Sequence, residues 1–569
     1  MKLDMILPDN LRGVFEKAAA DWQANSTLDR FWRKDASLWT SGDEEKWMGW
    51  LNIVERQLAD RASFAALSAD VKQAGFKHLV LLGMGGSSLC PEVLAVTFGQ
   101  QLGFPALAIV DTTDPVQVKS VRDRVDLAKT LVIVASKSGS TLEPNVQKQY
   151  FFEEMKQAVG ADKAGSHFIA ITDPGSKMEQ VAKGDNFRHI FYGDPQIGGR
   201  FSALSNFGVV VAAAAGLDID RLLASAASGV ADAKKPVPEN PAAQIGLLMG
   251  VAANAGRDKL SILTSPEIYD LGAWMEQLVA ESTGKLGKGI TPVDRETIGA
   301  PEVYGADRLF AYIRLAGTKD TGLAAKVAAL EAAGQPVIRI EIADTYGLFA
   351  QFFTWEVATA IAGSVTGINP FNQPDVESAK IEARALTEAY EKTGKLPVST
   401  PFLTDAGVEI YATEAYAAKL KAAAPSQTLA GIVKAHLDQI VAGDYFAALA
   451  YLPMFAEHEA AIQSFRHKVR NAKKIATCLG FGPRFLHSTG QDYKGGPNEG
   501  VFVQITASHA ADLAIPGQKL SFGVVIDAQS AGDLAVLEAR GRRALRLHLT
   551  GDVAEGLKTL NAAFDQAIG

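Results

Sequence analysis

The sequence predicts an α/β protein: two doubly wound, parallel-sheet domains, preceded by a helical N-terminal arm and followed by a C-terminal α+β unit. Three observations predict it. From Lys77 onward short apolar runs alternate with amphipathic stretches, the pattern of βαβ units. The proline-rich, polar stretch KKPVPENP at 234–241 divides that alternation into two blocks. The chain's 569 residues, 47% of them hydrophobic, suit several cores at about 150 residues per unit. No short-period repeat is visible, although the two blocks have the look of distant duplicates.

Residues 1–60 form the arm. Trp22, Trp32, Trp39, Trp47 and Trp50 recur among charges at roughly helical spacing, with no strand-like run. Residues 61–235 form the first domain, with HLVLLG, ALAIVD, TLVIVAS, HFIAIT and HIFY as strands. Residues 236–391 form the second, with KLSILT, RLFAYIRL and PVIRIEI as strands and an amphipathic helix over about 375–391. The turn-rich stretch 392–407 leads into the third unit, 392–569, where VFVQIT and SFGVVI read as strands.

A net charge of −8 and a pI near 5.7 exclude a protein whose main work is holding nucleic acid or an anionic membrane. The basic run from Arg466 to Arg470, which includes His467, reads as a solvated helix face, and His78, opening an apolar strand, reads as structural. Cys90 and Cys478 lie far apart with no CxxC pair, so they read as two buried thiols in a reducing compartment. The start MKLDMILPDN has no basic region followed by a long apolar core. The longest apolar run, near 209–215, falls far short of the ~20 residues that span a bilayer. The expectation is a soluble, cytoplasmic protein with no membrane and no nucleic-acid partner.

Two loops carry an anion signal. The first strand runs into Gly83-Met84-Gly85-Gly86-Ser87-Ser88, where glycines let a backbone approach an anion at a helix start. One reading is a dinucleotide site with Asp111 as ribose acceptor, although Ser88 stands at the third glycine position; an ordinary tight turn is another. The third strand ends in Ser136-Lys137-Ser138-Gly139-Ser140-Thr141. Four hydroxyls beside a helix start suit a phosphate monoester, whose oxygens each need a donor. Thr141 alone would satisfy an ordinary N-cap, leaving the others unexplained. Both loops sit at carboxyl ends of neighbouring strands, which favours one phosphorylated small molecule bound between them.

The pair GMGGSS and SKSGST, followed by GGRFS at 198–202, resembles the sugar isomerase domains of glucose-6-phosphate isomerases. QLVAESTGK at 277–285 looks like the family stretch whose Glu is the catalytic base, which falls here on Glu281. NPFNQPDVESAK at 369–380 resembles the bacterial short-form motif carrying the active-site lysine, here Lys380. Over the whole chain the likeness is greatest to the isomerase half of bifunctional transaldolase/glucose-6-phosphate isomerases, which leaves open a former fusion to transaldolase. No residue here resembles the transaldolase half. The chain departs from the family in one respect: no histidine occurs from Ile190 to Ala435, where ordinary members carry the ring-opening histidine. LHSTGQ at 486–491 resembles the histidine motif in a different chain position, so His487 from the C-terminal unit is the expected replacement.

The resemblance implies interconversion of glucose 6-phosphate and fructose 6-phosphate through ring opening and a cis-enediol, a reaction that needs no metal or redox cofactor. Glu281 would move the proton between carbons. Arg200 would neutralise the developing enediolate, and Lys380 and His487 would shuttle the protons of ring opening. Gln277, one helical turn before Glu281, would orient hydroxyls. Gly86, Ser87, Ser136, Lys137, Ser138, Ser140, Thr141 and Gln373 complete the expected substrate contacts. Each has a structural alternative: a solvated carboxylate for Glu281, surface ion pairs for Arg200 and Lys380, a satisfied structural histidine for His487. Alternative functions are a non-catalytic sugar-phosphate sensor, a dual-specificity isomerase that also takes mannose 6-phosphate, and a nicotinamide-dependent dehydrogenase. The family resemblance also implies a homodimer, whereas a C-terminal unit supplying its own histidine would leave a monomer competent.

Overall fold

A computed structural model of the chain describes residues 1–319, 321–397 and 399–569, so Val398, inside the turn-rich stretch 392–407, lies outside the described residues. The arm opens with a strand, β1 (Lys2–Ile6), where only helix was expected. Five residues of KLDMI are too few to show a period, and the strand exists because it finds a sheet edge far along the chain.

The first sheet is all parallel: β2 (His78–Leu82), β3 (Ala106–Val110), β4 (Thr130–Ala135), β5 (Phe168–Thr172) and β6 (His189–Tyr192), in the order β3-β2-β4-β5-β6. The second contains β7 (Lys259–Thr264), β8 (Thr291–Val293), β9 (Arg308–Leu315) and β10 (Val337–Ile342), in the order β1-β10-β9-β7-β8. Only β1 is antiparallel there, pairing Lys2 with Glu341 through Ile6 with Val337.

The third sheet contains β11 (Leu403–Asp405), β12 (Val408–Tyr411), β13 (Tyr445–Tyr451), β14 (Ala476–Phe481), β15 (Gly500–Ala507) and β16 (Arg543–Leu549), in the order β11-β12-β16-β15-β13-β14. Its hairpin β11–β12 is antiparallel, but β14-β13-β15-β16 is a parallel core, which refines the expected α+β unit. The orders β3-β2-β4-β5, β8-β7-β9-β10 and β14-β13-β15-β16 are the same doubly wound arrangement, each with a switch point beside its first strand.

SFGVVI, read as a strand, instead starts the helix Phe522–Ala539. A short apolar run fits either state, and Ser521 decides it by capping the helix: its Oγ accepts from the Val524 N–H at 3.2 Å. Nor is the basic run a solvated face. Arg466 and Arg470 are buried, donating to the carbonyls of Thr477 and Asp294 and to Glu296, while His467 Nε2 accepts from the Thr297 N–H.

The tryptophan arm packs on residues of both the first and the second unit. Trp50 is fully buried against Phe201, Phe353 and Phe371, and Trp39 donates its indole N–H to the Ala360 carbonyl at 2.8 Å. That carbonyl belongs to the helix Leu348–Thr366, which is buried on nearly every side because it runs through the core between Pro241–Asn254 and Ile219–Ala233. Cys90 and Cys478 are buried free thiols.

Candidate active site

The glycine loop after β2 exists to let three segments meet. Gly85 has φ +55°, and a Cβ there would lie 2.7 Å from Gln277 Nε2 and 2.9 Å from the His487 carbonyl; a Cβ on Gly86 would stand 1.9 Å from the Gly199 carbonyl. Gly86 is therefore a packing glycine, and Ser87 beside it is half-buried and outside the cavity described below. Asp111 is buried and engaged within the protein, accepting from Ser88 Oγ at 3.2 Å and facing Arg484 at 3.4 Å, which counts against the dinucleotide reading that needs it as ribose acceptor.

After β4 the second loop turns its hydroxyls outward. Ser138 and Ser140 Oγ lie 2.7 Å apart, and Asn145 shapes the turn by donating to the carbonyls of Gly139 and Thr141. Thr141 stands at the N-cap position of the helix Leu142–Val159, yet its side chain caps nothing and stays available. Ser136 is buried with its hydroxyl unpartnered. Lys137 is spent elsewhere, on Asp173 at 2.9 Å and the Asp194 carbonyl at 2.8 Å.

Ser138, Ser140 and Thr141 line a cavity of about 330 Å³ whose other walls include Glu377, Lys380 and Arg384 from the helix Pro374–Thr393, with His487, Glu143 and Gln529. Lys380 and Arg384, four residues apart, share a helix face, so two cations border the same cavity as the hydroxyls.

Next to this cavity the helix Leu271–Thr283 presents Gln277 and Glu281, one turn apart. Gln277 Nε2 donates to Glu281 Oε2 at 3.1 Å and to the His487 carbonyl at 2.6 Å. Arg200, 2% exposed, stands 3.4 Å from Glu281 and donates to Ser282 Oγ, Gln373 Oε1 and the carbonyls of Pro370 and Asn372. Gln373 thus braces Arg200. Burial lowers the guanidinium pKa against the opposing pull of Glu281. Lys285, buried beside them, donates to the Asn369 carbonyl; burial, then Arg200, push its ammonium well below the usual lysine range.

His487 Nε2 meets Glu143 Oε1 at 3.0 Å. Burial raises the Glu143 carboxyl, but His487, then a backbone N–H bond and last Lys380 more than offset it and hold it below the usual carboxylate range. Sequence reasoning missed Glu143, Arg384 and Lys285. Glu143 follows the hydroxyl loop in a helix's first turn, where carboxylates are common for other reasons, so its only distinguishing signal was its adjacency to SKSGST.

Residues 62–305 match the family model described as phosphoglucose isomerase. The chain is 31% identical over 375 residues to a glucose-6-phosphate isomerase of Limosilactobacillus fermentum, covering 56% of this chain and 82% of that protein. It is 29% identical over 361 residues to one of Rubrobacter xylanophilus, covering 54% and 82%. Among solved structures, a hypothetical protein of Thermus thermophilus superposes with TM-score 0.59 at 24% identity, covering 68% of this chain and 99% of that one. A glucose-6-phosphate isomerase of Chlamydia trachomatis superposes with TM-score 0.50 at 21% identity, covering 59% and 74%. The two superpositions speak to the fold.

Proposed function

This chain belongs to the phosphoglucose isomerase family, and from that membership we propose how its own residues perform the aldose–ketose isomerisation of glucose 6-phosphate and fructose 6-phosphate. The phosphate lies against Ser138, Ser140 and Thr141 and the first-turn N–H groups of their helix, with Lys380 and Arg384 across the cavity. Ring opening withdraws one proton from the anomeric hydroxyl and delivers one to the ring oxygen; His487 and Lys380 make that exchange. Glu281 then takes the proton from C2 of the open aldose and returns it to C1, while the O2 hydroxyl gives up its proton and O1 gains one, which turns the aldehyde into a hydroxyl and C2–O2 into the ketone. The charge that develops on the enediolate oxygen is met by Arg200, a cation fixed by four hydrogen bonds before the reaction begins.

One observation carries this reading: the Gln277 amide donates to both Glu281 and the His487 carbonyl, which makes the proton-transfer base and the ring-opening histidine neighbours across two units of the chain. The cytoplasm fits such a substrate.

The test separates the two chemical stages. Exchange between α and β anomers requires only ring opening and is read by NMR exchange spectroscopy; isomerisation is read by coupling fructose 6-phosphate to a glucose-6-phosphate-specific dehydrogenase. Glu281→Gln should abolish isomerisation and keep enzyme-catalysed anomer exchange, and His487→Ala should depress both. Full isomerisation by Glu281→Gln would sink the base assignment.

A further inference from the structure

We infer that Gln529, on the C-terminal helix Phe522–Ala539, is a positioning residue that holds Glu143 and thereby fixes which nitrogen of His487 carries the proton. The inference rests on the reading of His487 as the ring-opening residue. Gln529 Nε2 donates to Glu143 Oε1 at 2.6 Å, and its Oε1 accepts from Thr113 Oγ1 at 2.6 Å. Thr113, Gln529 and Glu143 are all at least nine-tenths buried.

The orientation of the amide follows from what each neighbour can do. An ionised carboxylate only accepts, so the amide must turn its nitrogen to Glu143 and its oxygen to a hydroxyl, and Thr113 supplies that hydroxyl. Glu143 Oε1 then takes two donors, Gln529 Nε2 and His487 Nε2 at 3.0 Å. Two charge-assisted bonds on one buried oxygen favour the ionised form. Because that carboxylate accepts, His487 keeps its proton on Nε2, and Nδ1 is the ring nitrogen left to exchange protons with a sugar. A chain of four side chains, Thr113–Gln529–Glu143–His487, therefore runs from the loop after β3, through the C-terminal unit, to the cavity. Gln529 acts through Glu143, whose other titratable or charged neighbours are His487, Lys380 and Tyr451.

Gln529→Leu keeps the bulk and removes the donor. Its anomer exchange should fall about tenfold, the scale of one lost bond to a charged group, with KM for fructose 6-phosphate within about twofold. Losing a donor to the carboxylate raises the pH at which Glu143 protonates, so the acid limb of the kcat profile should move up. The 15N signals of His487 should show the Nδ1–H form becoming populated. Thr113→Val, which leaves the amide without its anchor, should move all three readouts in the same direction by less, and it carries the test if Gln529→Leu does not fold. A folded Gln529→Leu with wild-type anomer exchange and a wild-type 15N pattern would overturn the inference. If His487→Ala also keeps full anomer exchange, the role given to His487 is what fails; if His487→Ala is impaired and Gln529→Leu is not, only the positioning role fails.

Discussion

Replacing Arg200 separates electrostatic work from structural work. Its guanidinium stands 3.4 Å from Glu281 inside the protein, where its side chain is 1% exposed. A unit charge pair at that distance is worth about 5 kcal/mol at an effective dielectric near 20. An enediolate oxygen forming beside Glu281 would draw on the same cation, and removing one preorganised stabiliser of this kind typically costs ~10²–10³ in kcat. Arg200→Met should therefore lower kcat for isomerisation by about 10³. Arg200→Lys should lower it by about tenfold, because an ammonium keeps the charge but cannot reproduce the fork that spans Pro370, Asn372, Ser282 and Gln373. Ring opening creates no enediolate, so anomer exchange should stay within about threefold of wild type in Arg200→Lys. Coupled turnover, anomer exchange and thermal unfolding on the same preparations check this. Equal falls in both rates would refute the reasoning, since Arg200 would then act only by holding the turn at 370–373.

Gly85→Ala places a Cβ 2.7 Å from Gln277 Nε2 at a backbone φ of +55°; kcat should fall at least about a hundredfold, a near-attack displacement effect, which steady-state kinetics will show. Arg384→Met removes an exposed cation from the cavity wall, so KM for fructose 6-phosphate should rise about threefold to tenfold with kcat unchanged, the mark of uniform binding. Glu356 is fully buried with neither carboxylate oxygen partnered, and burial pushes its carboxyl well above the usual range. Folded Glu356 thus keeps a proton that the unfolded chain releases, so its contribution to stability falls as pH rises above the ordinary carboxyl range. Glu356→Met should raise Tm by a few degrees at pH 8 (about 2 °C or more) and by less at pH 4.5; an offset independent of pH in thermal unfolding would count against this.

The two strand-end loops were legible as loops because their signal is local, glycines and hydroxyls within six residues, but only SKSGST puts side chains on the cavity, while the glycines of GMGGSS serve close packing. The adjacency of Glu281 and Gln277 was legible for the same reason, since they share one helix turn. What failed to show were pairings made over long separations. β1 needed β10, more than 330 residues away, and Glu143 needed a histidine 344 residues away. Lys137 sat in the right motif but found Asp173 first. SFGVVI misled because four apolar residues fit a strand as well as the first turn of a capped helix.

The C-terminal unit does more than set His487 at the cavity wall. Gln491 Oε1 accepts from the N–H groups of Asp375 and Val376, at the start of the helix that carries Lys380, while its Nε2 donates to the Gly284 carbonyl, just past the helix that carries Glu281. Arg540 adds a contact of 2.5 Å to Asp375. Arg484, three residues before His487, faces Asp111 at the end of the first sheet. One unit therefore pins the ends of both elements that present the proposed base and lysine, and it anchors its own histidine segment to the glycine-loop side of the site. The region matching the family model stops at residue 305, whereas Lys380, His487 and Gln529 all lie beyond it. The gap in histidines from Ile190 to Ala435 and the third sheet accordingly belong together: the two units before residue 391 bring Glu281, Arg200 and Lys380 but no histidine to this region, and the unit that places His487 beside them is folded against the helices that carry Glu281 and Lys380.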